Sequence, residues 1–181
     1  MKKLEEKKIK EERIFQGRLL GLRVDTVKLP NGVKSTREVV EHPGAVAVIA
    51  LTKDKKIVLI RQYRCPTGRV ILEVPAGVPL KNEKGATAAK RELEEETGYR
   101  AKKVRKVWEG YASPGYSDEV IKFYLAEGLT FVGTNMDEDE MVEVEIIGIN
   151  QGYELLKKGK IKDNKTIIGL MIAKLKINGE L

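Results

Sequence analysis

The sequence predicts an α+β fold in which helices pack on a mostly antiparallel or mixed sheet. Three observations predict it. Strand-like alternation opens the chain after a charged start, two near-continuous apolar runs follow it, and helical periodicity is confined to one central segment and two segments near the end.

Each element follows from its residues in order. The first stretch, "MKKLEEKKIKEERIF", mixes both charge signs and reads as a solvated helix. Over residues 15–40, "RLLGLRVDTVKLP" and "KSTREVVEH" alternate as strands around Asn31-Gly32, a strong hairpin signal, and so form a β-ribbon. "GAVAVIAL" and "KKIVLIRQY" make a second hairpin around "TKDK"; their apolar continuity says that both faces are covered, as in a central sheet. "RVILEVPAG" is a short strand ending at Pro75 and Gly77. A helix is expected over 84–97, closed by Gly98 as the residue beyond its last turn. Strands resume in "KKVRKVWEGY", "EVIKFYLAEGL" and "MVEVEIIGI", and "NQGYELLKKGKI" and "KTIIGLMIAKLKI" read as helices.

Composition excludes several classes of function. No apolar run is long enough for a bilayer helix, and the charged start is no secretory leader, so a cytoplasmic protein without a membrane partner is expected. One cysteine, Cys65, cannot form an internal disulfide, and one histidine, His42, cannot build a histidine-rich zinc site. Both are expected to be structural, Cys65 as a small apolar filler. Any catalysis must therefore fall to carboxylates. The net charge of +7 comes from bases scattered among acids, without the basic stripe and interleaved aromatics of a nucleic-acid surface. A small phosphorylated substrate suits it better.

The carboxylates gather in "AAKRELEEETG", residues 88–98. At about 100° per residue, Glu92, Glu95 and Glu96 share an arc of about 100°, beside an apolar arc of Ala86, Ala89 and Leu93. Glu92 and Glu96 are like charges at i, i+4, and they lie near the helix C-terminus, where the macrodipole also disfavours anions. A solvated face relieved by Lys90 and Arg91 is one reading. The other is a seat for hard divalent cations, because Mg²⁺ takes carboxylate oxygens, keeps several waters and bridges to phosphates.

The spacing around the helix bears on that choice. Gly77, five residues, Glu83, seven residues, Arg91-Glu92-Leu93, one residue, Glu95-Glu96, one residue, then Gly98 and Tyr99 fill twenty-three positions. This resembles a complete Nudix box, with only Tyr99 at a looser aliphatic position. "STREVVEHPGAVAVIAL", "IRQYR", "LEVPAG", "YASPGYSDE" and "DEDEMVEVE", spread over residues 14–175, resemble the ADP-ribose pyrophosphatase branch of that family, as does Pro114, sixteen residues after Gly98.

The resemblance implies an α/β/α sandwich, a Nudix fold with a mixed central sheet and an N-terminal β-ribbon. Residues 1–40 would be a charged segment and ribbon used for dimerisation, and 41–181 the hydrolase domain. It implies Mg²⁺-dependent hydrolysis of ADP-ribose to AMP and ribose 5-phosphate, with Mn²⁺ as a substitute metal, and a homodimer. The implied metal ligands are Glu92, Glu96, Glu95 and the carbonyl of Ala76, with Gly77 allowing close approach and Arg91 orienting the carboxylates. The acidic loop "TNMDEDEMVEV" would supply the general base, Glu140 or Glu138, with Glu140 favoured. Arg37, Arg64 and Pro114 would contact substrate. Rival readings are a Nudix hydrolase of another nucleoside diphosphate sugar or nucleotide, and a noncatalytic nucleotide-sensing module.

Overall fold

The computed structural model describes residues 4–133 and 141–181. It resolves into two compact units, Met1–Gly44 with Gly110–Ile121, and Ala45–Glu109 with Lys122–Leu181.

The first unit is built on a three-stranded antiparallel sheet of β1 (Lys7–Gln16), β2 (Gly21–Lys28) and β3 (Lys34–Glu41) in that order. From Lys7 onward the charged start is therefore a strand and not the expected helix. It has no apolar stripe to dock a helix, whereas pairing runs from Lys7 opposite Lys28 to Gln16 opposite Gly21. Cross-strand charges add to the pairing: Arg13 of β1 and Arg23 of β2 both pair with Glu41 of β3. Each such pair is worth about 0.2–1 kcal/mol. The β2–β3 turn follows the sequence signal. Gly32 takes φ +90°, its amide donates to Leu29 O at 2.8 Å, and Asn31 Oδ1 accepts from Val33 N at 3.1 Å.

The second unit holds a seven-stranded sheet. Its main path is β10 (Val142–Gly148), β5 (Lys56–Arg64), β4 (Ala45–Leu51), β9 (Val120–Phe131) and β8 (Tyr99–Tyr111); β6 (Arg69–Glu73) pairs with β5, and β7 (Ala76–Gly77) with β4. Among the described residues three α-helices complete it: α1 (Gly85–Thr97), α2 (Ile149–Lys157) and α3 (Asn164–Asn178). The central strand shows why both faces had to be apolar. Val46, Val48 and Ala50 pack in one cluster with Ala88, Ala89 and Leu93 of α1, while Ile49 faces Gly169 of α3. Successive side chains of β4 thus serve opposite layers, the arrangement of an α/β/α sandwich.

α1 settles against this sheet with Ala88, Ala89, Glu92, Leu93, Glu96 and Thr97 buried. The expected apolar arc is displaced: Ala86 is exposed and Ala88 takes its place, so the buried stripe runs through two of the glutamates. The helix stops at Gly98, whose φ of +71° is a left-handed turn that costs glycine nothing, and whose amide donates to Glu94 O at 2.8 Å. Cys65 corrects another expectation. It opens a single 3-10 turn, Cys65–Thr67, and is exposed instead of filling the core. Trp108 is 46% exposed, with its ring against Phe123 at a centroid distance of 5.3 Å.

Candidate active site

Glu92 and Glu96 are 7% and 2% exposed, on the side of α1 that meets β7. A buried carboxylate is costly unless its oxygens are engaged. Glu96 Oε2 accepts the amide of Ala76 at 3.0 Å, fixing the helix to the short strand. Glu92 lies against Gly77 so closely that a Cβ there would come within 2.2 Å of the carboxylate. Only glycine leaves that space, so Gly77 lets the backbone approach the acid.

Arg91 gathers the remaining charge. Its Nη1 donates to Glu95 Oε2 at 2.7 Å, its Nε and Nη2 bind the two oxygens of Glu83 at 3.1 and 3.0 Å, and Nη2 lies 2.8 Å from Glu92 Oε1. One guanidinium thus offsets three carboxylates, Glu92 of the i, i+4 pair among them. Arg91's hydrogen bond holds the Glu83 carboxyl below the usual carboxylate range, and Glu83, ahead of Glu95 and Glu92, raises the Arg91 pKa above its ordinary value against the effect of burial. Glu83 also accepts the Leu80 amide at 2.9 Å, so it clamps the loop that precedes α1.

Ala76, Gly77, Arg91, Glu92, Glu95 and Glu96 are therefore brought together in the second unit. Arg64, at the end of β5 in the same unit, is 37% exposed and donates from Nε to Glu73 at 2.7 Å. Arg37 and Pro114 belong to the first unit. Arg37 pairs with Glu6 and donates to Thr36 O at 2.8 Å. Pro114 sits exposed in the turn between β8 and β9, where Ser113 O accepts from Ser117 N at 2.9 Å. Glu138 and Glu140 lie outside the described residues. Sequence reasoning gave Glu83 no role and passed over Glu73 and Lys165 entirely. The available signal for Glu73 was an acid at the end of an apolar strand.

The donor chemistry suits a hard divalent cation. Two buried carboxylates beside a backbone that a glycine keeps open offer the few oxygen ligands such an ion takes from protein. Among the described residues, no group of three or more His, Cys, Asp or Glu side chains is drawn together to hold a metal by itself.

Comparison with known proteins agrees with this geometry. Residues 41–168 match the NUDIX domain, and residues 6–40 match the nucleoside diphosphate sugar hydrolase N-terminal domain. An ADP-ribose pyrophosphatase of Bacillus subtilis (strain 168) is 46% identical over 178 residues, 97% of this chain and 96% of the relative. A methanol dehydrogenase activator of Bacillus methanolicus is 45% identical, over 96% of this chain and 95% of its own. The crystal structure of an ADP compounds hydrolase superposes with a TM-score of 0.84 at 22% identity, covering 98% of this chain and 97% of that one, and so shares the fold. Matched through most of its length, the chain belongs to the Nudix family, whose hydrolases generally work with a divalent metal ion.

Proposed function

We propose that the protein hydrolyses ADP-ribose to AMP and ribose 5-phosphate with Mg²⁺, for which Mn²⁺ can substitute. The observation that carries this reading is the burial of Glu92 and Glu96 on α1 against Ala76–Gly77, where local helix energetics disfavour clustered acids. Full-length similarity to a protein named for that substrate supports the choice of ADP-ribose.

A diphosphate resists hydrolysis because its anionic oxygens repel a nucleophile. Glu92 and Glu96, assisted by Glu95 and the Ala76 carbonyl, would hold the Mg²⁺. When bound, the ion supplies neutralisation of phosphate charge. Arg91 keeps the glutamates oriented through its contacts to Glu83, Glu92 and Glu95. Arg64, Arg37 and Pro114 would contact the substrate, the two guanidinium groups through its phosphate or ribose oxygens. A loop carboxylate, Glu140 or else Glu138, accepts the proton of the attacking water.

The substrate partner is then a small nucleoside diphosphate, with no nucleic acid or membrane involved, in the cytoplasm. No helix among the described residues is long and apolar enough to cross a membrane. A second reading, hydrolysis of another nucleoside diphosphate sugar, is favoured by the match of residues 6–40. A panel of ADP-ribose, other nucleoside diphosphate sugars and nucleoside triphosphates, assayed with Mg²⁺ for released AMP or other products, separates the two. ADP-ribose should give the highest kcat/KM. Faster cleavage of another member would move the assignment to that substrate.

We also assign residues 1–40 to dimerisation and 41–181 to the hydrolase domain. β1 exposes Ile9, Ile14 and Phe15, each at least half accessible, on a sheet that would otherwise leave them in water. Light scattering at micromolar concentration should give twice the 20.3 kDa chain mass, and Phe15→Glu should lower it. A fully active monomer would defeat the assignment.

A further inference from the structure

Among the described residues, the most buried charged side chain beyond the acidic helix is Glu73, 2% exposed at the end of β6 and three residues before Ala76. An extended chain puts its Cα within about 11 Å of Ala76's. Both of its oxygens are engaged. Oε2 accepts from Arg64 Nε at 2.7 Å, and Oε1 from Lys165 Nζ at 3.2 Å. Lys165 is in turn fastened to Asp163 Oδ1 at 2.7 Å, while the other Asp163 oxygen caps α3 through the amide and hydroxyl of Thr166 at 2.9 and 2.7 Å. Thr166 Oγ1 accepts the amide of Val74 at 2.8 Å, which closes the circuit beside Glu73.

Along this path the side chains change from buried to exposed. Glu73 is sealed, Lys165 and Asp163 are nearly so, and Arg64 stands 37% exposed at the end. Among the described residues, the Nη1 and Nη2 groups of Arg64 have no partner, so the acid takes the inner edge of the guanidinium and leaves its terminal fork. Burial alone would push Lys165 down, but Asp163 and Glu73 outweigh it and keep its ammonium charged. A buried ion pair adds little net stability over an apolar pair of the same size, so this branch needs a reason other than stability.

We propose that Glu73, braced by Lys165, is a positioning residue that aims the terminal nitrogens of Arg64 at the diphosphate oxygens of the substrate. This rests on the assignment of Arg64 to substrate binding. A loose arginine has many rotamers, and fixing its Nε in advance removes ordering cost that binding would otherwise bear. Glu73 acts on affinity and not on the chemical step, because it touches neither water nor reacting phosphorus.

The test is steady-state kinetics of the full chain on ADP-ribose with Mg²⁺ for Arg64→Ala, Glu73→Gln, Lys165→Met and the double variant Arg64→Ala with Glu73→Gln, each with a thermal melt. Arg64→Ala should raise KM by roughly tenfold or more, the scale of one charge-assisted contact. Glu73→Gln should raise KM by roughly threefold to tenfold with kcat nearly unchanged, and Lys165→Met should move it the same way by less. The double variant should be no worse than Arg64→Ala alone. If Arg64→Ala raises KM while Glu73→Gln does not, or if the double variant shows the two effects multiplied, the positioning role is overturned and the Arg64 contact stands. If Arg64→Ala leaves KM unchanged, the contact itself is wrong and the inference falls with it. Should Glu73→Gln fail to fold, the KM of Lys165→Met decides by the same outcomes.

Discussion

Glu96→Gln should cost more than about 100-fold in kcat while leaving the melting temperature nearly unchanged. Groups that merely orient a metal ligand are worth about 10–100-fold when removed, so loss of an anionic ligand itself should exceed that range. The fold should tolerate the change because glutamine keeps an oxygen where Glu96 Oε2 accepts the Ala76 amide at 3.0 Å. It also removes a like charge from the pair with Glu92. Glu96→Ala is the contrasting variant. It leaves the half-buried Ala76 amide without its acceptor, a penalty of at most about 1–3 kcal/mol, and should lower both activity and stability. Rate and thermal melt measured on the same preparations distinguish the two. Near-normal turnover of Glu96→Gln in Mg²⁺ would remove this helix face from the chemistry.

How far the sequence reached depended on how local each determinant was. The turn at Asn31-Gly32 and the helix stop at Gly98 each need one backbone conformation from one residue, and both are present with positive φ. The two apolar strands announced a covered sheet because burial on both faces removes alternation, as β4 shows. β1 was misread for the opposite reason. Its ten residues are all exposed, so nothing in their own pattern marks a strand, and its identity comes from β2 beside it. The rotation of α1 was also set from outside: Ala88 and not Ala86 faces the sheet because of where Val46, Val48 and Tyr124 stand.

The candidate site divides the same way. The spacing from Gly77 to Gly98 contains its own geometry, since Arg91 meets Glu95 one turn away and Gly77 leaves the gap that Glu92 enters. The link between Glu73 and Lys165 spans ninety-two positions, and neither residue carries a local sign of the other. Such a pair becomes visible only when β6 and the start of α3 are placed side by side.

The last expectation concerns the proton. Glu140→Gln should lower kcat by about 10² to 10⁴ and change KM little, because loss of a general base falls on the transition state and not on ground-state binding. The helix glutamates cannot readily serve as that base. Glu96 is tied to the Ala76 amide, and Arg91 engages both Glu92 and Glu95. A carboxylate hydrogen-bonded to a guanidinium is a weaker proton acceptor than a less encumbered one. His42, the one histidine in the chain, has its Nδ1 occupied as acceptor of the Gly44 amide at 3.0 Å. The proposed base belongs to the acidic run ahead of β10, where Glu140 stands two residues before Val142 and Glu138 four. Val142, the first residue of β10, pairs with Gln62 on the strand that carries Arg64. Glu138→Gln should then cost less than about tenfold, since it would lose only a neighbouring charge. The ratio of the two kcat values, read at saturating ADP-ribose and Mg²⁺ across pH, decides the assignment. For Glu140 as base, the acidic limb of the profile should disappear in Glu140→Gln and persist in Glu138→Gln. The reverse pattern transfers the role to Glu138, and equal small losses in both would take the loop out of proton transfer altogether.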